Sequence, residues 1–146
     1  NVEIIRKALN ESAGKDEAEL TCRSLIETCI SDGVVAFQKY CEGLYSVHGQ
    51  APFNAFQRLE QGSELWKEAI QKGYDYWLNN EEMIRLRILY QKRHILAHNE
   101  GIVDAKYIKK SGDNSYKQGQ RIVVADKDIG DLLNCLEKLG TGLKGV

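Results

Sequence analysis

Apolar residues recur every three or four positions along most of the chain, and this spacing predicts amphipathic helices. The pattern is longest over residues 16–48, where it predicts one long helix with a bend at Gly33. Pro52 predicts a loop directly after that helix, because proline disfavours helical geometry in the residue before it. The same spacing over 53–78 predicts a second helix, which two internal glycines weaken.

The second half of the chain predicts shorter helices and one polar interruption. Asn79 or Asn80 can cap a helix that runs to about His98, because an asparagine side chain accepts a hydrogen bond from the first helical turn. A short helix is expected over 105–110. Beyond it, 111–115 is polar and 120–125 favours a strand that pairs back onto 116–117. Asp126 is expected to cap the last helix.

Together these elements predict an all-α fold. We expect a single domain over 1–146, an up-and-down helical bundle with a small late β-hairpin or loop insertion at 111–125. The length of 146 residues suits one domain, and the single proline leaves the helices uninterrupted.

Composition excludes several classes of protein. No stretch approaches the roughly 20 apolar residues that span a bilayer, and Glu3, Arg6 and Lys7 interrupt any signal-peptide core. We therefore expect no membrane association and a cytoplasmic location. The cysteines form no Cys-x-x-Cys pair and sit in apolar helical pattern, which predicts buried free thiols and neither metal nor cofactor. They are Cys22, Cys29, Cys41 and Cys135.

The most unusual segment is the helix predicted to end at His98. At 100° per residue, one stripe of this helix carries Arg87, Gln91, His94 and His98. Arg93 lies away from that stripe, in line with two leucines. A guanidinium on an apolar surface needs an explanation, because a buried cation without a partner is costly.

Three structural explanations compete for these residues. Arg93 can form an ion pair with a carboxylate on another helix. His98 can simply end its helix, where a cation is favoured by the dipole. His94 and His98 have the i, i+4 spacing of a two-histidine metal site, but Ile95 occupies the position where a metalloprotease motif has glutamate, and no third ligand is evident.

The run Arg93-His94-Ile95-Leu96-Ala97-His98 resembles the signature of the HEPN superfamily of helical-bundle ribonucleases. In that signature an arginine and a polar residue are followed by a few mostly apolar residues and a histidine. The continuation over 98–107 is similar to the segment that follows this motif in HEPN-like proteins of bacterial defence and signalling systems. The close resemblance covers about 81–110.

The resemblance implies a metal-independent endoribonuclease that works as a homodimer, with the two motifs meeting across the interface. His98 is the expected general acid or base, because histidine titrates near neutrality. Arg93 would stabilise charge on the phosphorane. His94 would orient the site, and Asn99 would hydrogen-bond the substrate or the helix end. Arg93 and His98 project about 140° apart on an ideal helix, so an unwound helix end or a second copy must complete the site.

Charge is distributed unevenly along the chain. The net charge is −1, but residues 85–121 hold nine basic and three acidic residues, which leaves +6 there and −7 elsewhere. A positive field beside the motif would favour RNA. Alternatively, these positive charges form ion pairs with the acidic part of the fold. The candidate substrate contacts are Arg87, Lys92, Lys106 and Lys109.

The sequence therefore leaves several functions open. The first is an endoribonuclease that cleaves RNA through 2′-hydroxyl attack in a bacterial defence or toxin system. The alternative is a non-catalytic HEPN-like dimerisation or interaction module of a larger defence or signalling protein. A third is a helical partner of a nucleotidyltransferase in a toxin and antitoxin pair. An unrelated helical interaction domain is the fourth.

Overall fold

The computed structural model describes the backbone of residues 1–146 and all side chains except those of residues 9, 10, 12, 13 and 15. Its α-helices are α1 (Val2–Ala13), α2 (Lys15–Tyr45), α3 (Leu59–Ile70), α4 (Asn80–His98), α5 (Ala105–Ser111) and α6 (Asp126–Lys144). The described residues contain no β-strand beyond a single isolated bridge. The prediction of an all-α fold is confirmed.

Helix α2 is the central element and packs against α1, α4 and α6. Its buried positions recur at helical spacing, as the sequence pattern predicts. They are Ala18, Cys22, Ile26, Ile30, Val34, Phe37 and Cys41. Gly33 lies inside this continuous helix, where an added Cβ would approach Leu132 Cδ2 to 3.3 Å. This glycine therefore serves the close approach of α6 to α2.

Side chains fix the starts of α4 and α6. Asn79 caps α4: its Oδ1 accepts from the Glu82 N–H at 2.8 Å, while Glu82 Oε1 accepts from the Asn79 N–H at 3.0 Å. This reciprocal capping box satisfies two N–H groups and fixes where α4 begins. The predicted cap at Asp126 is wrong, because Asp126 is already helical and Asp128 accepts from the Ala125 N–H at 2.9 Å.

The prediction of one helix over 53–78 is wrong. Only α3 is α-helical there, between 3₁₀ turns at Ala55–Gln57 and Tyr74–Tyr76. The chain leaves α3 through Gln71 in the left-handed region, at φ 62°. Gly73 then passes so close to α3 that a Cβ would lie 2.9 Å from Ser63 Oγ. This tight turn breaks the helix.

The predicted hairpin over 116–125 is not confirmed. Arg121 instead forms an isolated antiparallel bridge with Ile102. The Ile122 N–H donates to the Gly101 carbonyl at 2.9 Å, and Ile122 and Val124 are buried in the core. The apolar residues of this stretch fill the core beneath a loop, and residues 112–125 contain neither an α-helix nor a strand.

Two further features complete the fold. Helix α1, which the sequence analysis does not predict, starts at Asn1, whose Oδ1 accepts from the Glu3 N–H at 2.9 Å. Among the described helices, none has both the length and the apolar character required to cross a bilayer.

Helix α6 touches Trp77 through Gly142, and this contact is a test of the packing. An added Cβ at Gly142 would overlap the indole ring of Trp77. We expect Gly142→Ala to lower the free energy of unfolding by about 1–3 kcal/mol, because the indole must shift. Urea titration followed by tryptophan fluorescence measures this. Gly130→Ala in the same helix is the control: no atom lies within 4 Å of its added Cβ, so we expect a gain of up to about 1 kcal/mol. Equal changes in the free energy of unfolding for the two variants would contradict the close contact between Gly142 and Trp77.

Candidate active site at the end of helix α4

Helix α4 keeps its helical geometry through His98 and ends at Asn99. The N–H groups of Asn99 and Gly101 both donate to the Ile95 carbonyl, at 2.8 and 2.9 Å, and Gly101 adopts a left-handed φ of 76°. Asn99 Nδ2 donates to the Ile102 carbonyl at 2.7 Å. In this structure Asn99 ties the helix end to the following loop, which is one of the two roles considered for it.

Arg93 is half-buried and pairs with no carboxylate among the described side chains. Its Nη2 donates to Gln57 Oε1 at 2.9 Å, and its buried Nε has no hydrogen-bond partner. Gln57 Nε2 donates to Gln38 Oε1 at 2.6 Å, and Gln38 Nε2 donates to Asn54 Oδ1 at 2.9 Å. Burial lowers the pKa of the guanidinium, which nevertheless stays protonated at neutral pH. Neutral amides thus contact Arg93 directly, and the Gln38 amide behind them also donates to Glu42 Oε2 at 3.3 Å. No described carboxylate forms the ion pair with Arg93 that was considered above.

His94 and His98 lie together one turn apart, as the helical wheel predicts. Their ring centroids are 4.7 Å apart, and both residues are exposed. Partial burial lowers the pKa of His94, and so do the positive charges of His98, Lys110, Arg93 and Arg58. The His94 ring is therefore neutral at neutral pH and can both donate and accept a hydrogen bond.

Arg93 and His98 do not share one groove. Arg93 lines a groove of about 400 Å³ between α2 and α4, which the carboxylate residues Glu27, Asp32 and Glu100 also line. His94 lines a different cavity, and His98 lies at the exposed helix end. Because α4 does not unwind, the angle of about 140° between the two predicted catalytic side chains persists within one chain.

The four predicted substrate contacts have different surroundings. Lys92 is only 6% exposed, and its Nζ donates to the Val123 carbonyl at 3.1 Å and to Asp128 at 3.4 Å. Because of this burial, a ligand cannot reach the Lys92 ammonium, and the structure does not bring Lys92 to the surface with the other predicted contacts. Arg87 pairs on the surface with Glu60 at 3.0 Å. Lys106 and Lys109 are exposed on α5 and form no ion pair with the described side chains.

Acidic residues neutralise part of the positive segment. Arg85 binds Asp128 and Asp131, and Arg121 binds both carboxylate oxygens of Glu27. With Arg87 and Lys92, four of the nine basic residues in 85–121 are in ion pairs. For these four residues, the positive charge is paired with an acidic residue of the fold. The cations that form no such pair are Arg93, Lys106, Lys109, Lys110 and Lys117.

The structure adds a cationic cavity that the sequence analysis does not predict. The cavity has a volume of about 440 Å³ and is lined by Arg58, His94 and Lys110. Lys110 belongs to the positive segment, but Arg58 lies 35 positions before Arg93 in the sequence. Only the packing of α3 against α4 brings Arg58 to the motif, so no local sequence signal marks it.

The described cysteines and other potential metal ligands do not form a second candidate site. Cys22, Cys41 and Cys135 are buried free thiols, as predicted, whereas Cys29 is exposed. Burial, the largest effect, raises the pKa of Cys41 to about 12. Within the part of the chain that the structure describes, no cluster of three or more His, Cys, Asp or Glu residues could hold a metal ion.

The sequence matches no family model, no curated protein and no solved structure. The features that indicate a function are the α4 motif, the Arg93 guanidinium that forms no ion pair with the described side chains, and the resemblance of 93–98 to the HEPN signature. These features are chemically specific enough to test.

Proposed function

We propose that this chain is a metal-independent endoribonuclease of HEPN type that acts as a homodimer. The observation that carries the proposal is the environment of Arg93. Its guanidinium is partly buried, bound by the neutral amide of Gln57 and in ion-pair contact with no described carboxylate. Such a charge is costly unless an anion pairs with it. A phosphodiester is an anion whose oxygens fit the fork of guanidinium donors.

His98 is the proton carrier in this mechanism. The RNA 2′-oxygen attacks the adjacent phosphorus, so that the 2′-oxygen–phosphorus bond forms and the bond from phosphorus to the 5′-oxygen breaks. One proton leaves the 2′-hydroxyl and one reaches the departing 5′-oxygen. His98 performs one of these transfers, since an imidazole exchanges protons near neutral pH. The products are a 2′,3′-cyclic phosphate and a 5′-hydroxyl.

Arg93 and His94 support this step differently. Arg93 stabilises the negative charge that develops on the phosphorane oxygens. The glutamine network behind it holds the guanidinium before substrate arrives, which lowers the cost of ordering it. His94 contacts the His98 ring and orients it. Lys106 and Lys109 contribute positive charge on α5 for the RNA backbone.

Dimerisation completes the site. Helix α4 is regular through His98, so Arg93 and His98 of one copy project about 140° apart and do not reach one phosphate together in this structure. A symmetric dimer solves this problem, because Arg93 of one copy can act with His98 of the other. From the resemblance to HEPN proteins we propose that this activity belongs to a bacterial defence or toxin system and acts on cytoplasmic RNA.

A non-catalytic HEPN-like interaction module is the second candidate. The observation in its favour is that the Arg93 side chain is tied into the Gln57 and Gln38 network, as a structural residue would be. Such a module would dimerise or bind a protein partner, for example a nucleotidyltransferase, without cleaving RNA.

The test is incubation of the purified protein with a panel of single-stranded RNAs in EDTA, beside DNA of the same sequences. We expect cleavage of RNA alone, with 2′,3′-cyclic phosphate ends identified by mass spectrometry. DNA resists because it lacks the attacking hydroxyl. Failure to cleave any RNA would favour the interaction module, and cleavage that requires added divalent metal would contradict the mechanism.

A further inference from the structure

The cavity beside His94 lies between the start of α3 and the facing sides of α4 and α5. Arg58 immediately precedes α3, and Lys110 stands in the last turn of α5. Its volume of about 440 Å³ falls in the range of about 300–1,000 Å³ typical of small-ligand sites. Gln57 lines the cavity and also accepts from Arg93 Nη2, so the cavity adjoins the proposed catalytic arginine.

Positive charge in this cavity lacks a matching anion among the described residues. Arg58 makes one long side-chain contact, from Nη1 to Gln61 Oε1 at 3.3 Å, and Lys110 makes none. Glu60 is the carboxylate of the lining, and it already pairs with Arg87 at 3.0 Å. An anionic ligand would therefore meet two free cations here, and the neutral ring of His94 would add a hydrogen bond.

Amide groups give the cavity a second kind of contact. Gln91 lines it and forms no hydrogen bond with the described side chains, and Gln61 keeps a free Nε2. A side-chain amide presents a donor and an acceptor side by side. This pair matches the edge of a nucleobase, which single-stranded RNA exposes and duplex RNA does not.

We propose that this cavity binds one unpaired nucleotide of the RNA substrate, with Arg58 and Lys110 on its phosphate and Gln91 on the edge of its base. The proposal rests on the proposed ribonuclease function and adds its substrate class. The enzyme selects single-stranded RNA because an unpaired nucleotide must enter the cavity next to the cleaved bond.

The experiment measures binding of a fluorescein-labelled single-stranded RNA to His98→Ala protein, which leaves the RNA intact. Fluorescence anisotropy at several salt concentrations gives the Kd and its salt dependence. In this background we expect Arg58→Gln/Lys110→Gln to weaken binding about 10- to 100-fold. The slope of log affinity against log salt should fall by about 0.7, because the two cations neutralise one phosphate of a single strand.

Lys39→Gln/Lys144→Gln is the matched control, because it removes two exposed cations outside the cavity. We expect it to leave the Kd within about twofold. Gln91→Ala, which removes no charge, should weaken binding of single-stranded RNA but leave its salt slope unchanged. Circular dichroism of each variant checks that the fold is retained. A fully paired RNA of equal length should bind the cavity variant and the control variant equally.

Equal Kd values and salt slopes for the cavity and control variants would overturn this proposal. RNA cleavage in EDTA with an unaltered KM by Arg58→Gln/Lys110→Gln protein that keeps His98 would overturn the cavity site alone and leave the ribonuclease standing. Nucleoside 5′-monophosphates form the second arm. Binding of these that depends on Arg58 and Lys110, with no RNA bound or cleaved, would overturn both the ribonuclease and the RNA-binding role.

Discussion

Replacing His98 with alanine is expected to lower kcat for RNA cleavage by about 10²- to 10⁴-fold, the usual contribution of a positioned general acid or base. The side chain is exposed at the end of α4, so its removal should cost little stability. KM should change much less, because the proton transfer occurs in the transition state. Single-turnover cleavage of a labelled RNA measures the effect.

His48→Ala is the control for this experiment, because His48 is the exposed histidine outside α4 and contacts the rings of Tyr45 and Trp66. It should keep near-normal kcat.

Arg93→Lys should lower kcat for RNA cleavage by about 10²- to 10³-fold, because lysine keeps the charge but lacks the planar fork of donors and the Gln57 contact. Retention of most activity in His98→Ala would refute the assigned site.

Asp128→Asn is expected to destabilise the fold by about 3–5 kcal/mol, the cost of leaving a buried charge without its partner. Asp128 is buried and binds Arg85 and Lys92 of α4, besides the Ala125 N–H of its own helix. Its replacement leaves the Lys92 ammonium, with a side chain only 7% exposed, without a counter-charge. Urea unfolding at pH 7 measures the loss.

The effect of Asp128 should depend on pH in one direction. Burial raises its pKa, but the Ala125 N–H and the charges of Lys92 and Arg85 outweigh burial and hold the pKa below its usual value. Its stabilisation is therefore complete above the ordinary carboxyl pKa of about 4 and is lost as the pH falls through the lowered value.

Asp131→Asn provides the control for Asp128→Asn. Asp131 is more exposed and pairs with Lys127 and Arg85, so its loss should cost about 0–1 kcal/mol. Equal costs for the two variants at pH 7 would contradict the account of the buried pair. A difference between wild type and Asp128→Asn that does not shrink as the pH falls below about 4 would contradict it as well.

The long helices are predictable from sequence because their apolar stripes repeat over many turns. Helices α2 and α4 have close to the predicted bounds, and the Asn79 cap follows from its side chain. Short apolar runs are ambiguous, since Ile122 and Val124 look like a strand but fill the core from a loop. Breaks such as the one at Gly73 depend on contact with α3, which no local pattern records.

The candidate site, too, is predictable from the sequence only in part. Spacing alone places His94 beside His98 and separates both from Arg93, and the structure agrees. Spacing cannot tell which lysine meets a carboxylate, because the partner of Lys92 lies 36 residues later on α6. Arg58 reaches the motif only through tertiary packing. Long-range contacts therefore decide which of the described cations form ion pairs and which do not.

The composite site is tested most directly by mixing the two inactive variants Arg93→Ala and His98→Ala. If Arg93 of one copy acts with His98 of the other, each heterodimer keeps one intact pair. Equal mixing makes half of the dimers heterodimers with one of two sites active, so we predict recovery of about one quarter of wild-type RNA cleavage. No recovery, when native mass spectrometry shows that heterodimers have formed, would contradict a site completed by the second copy.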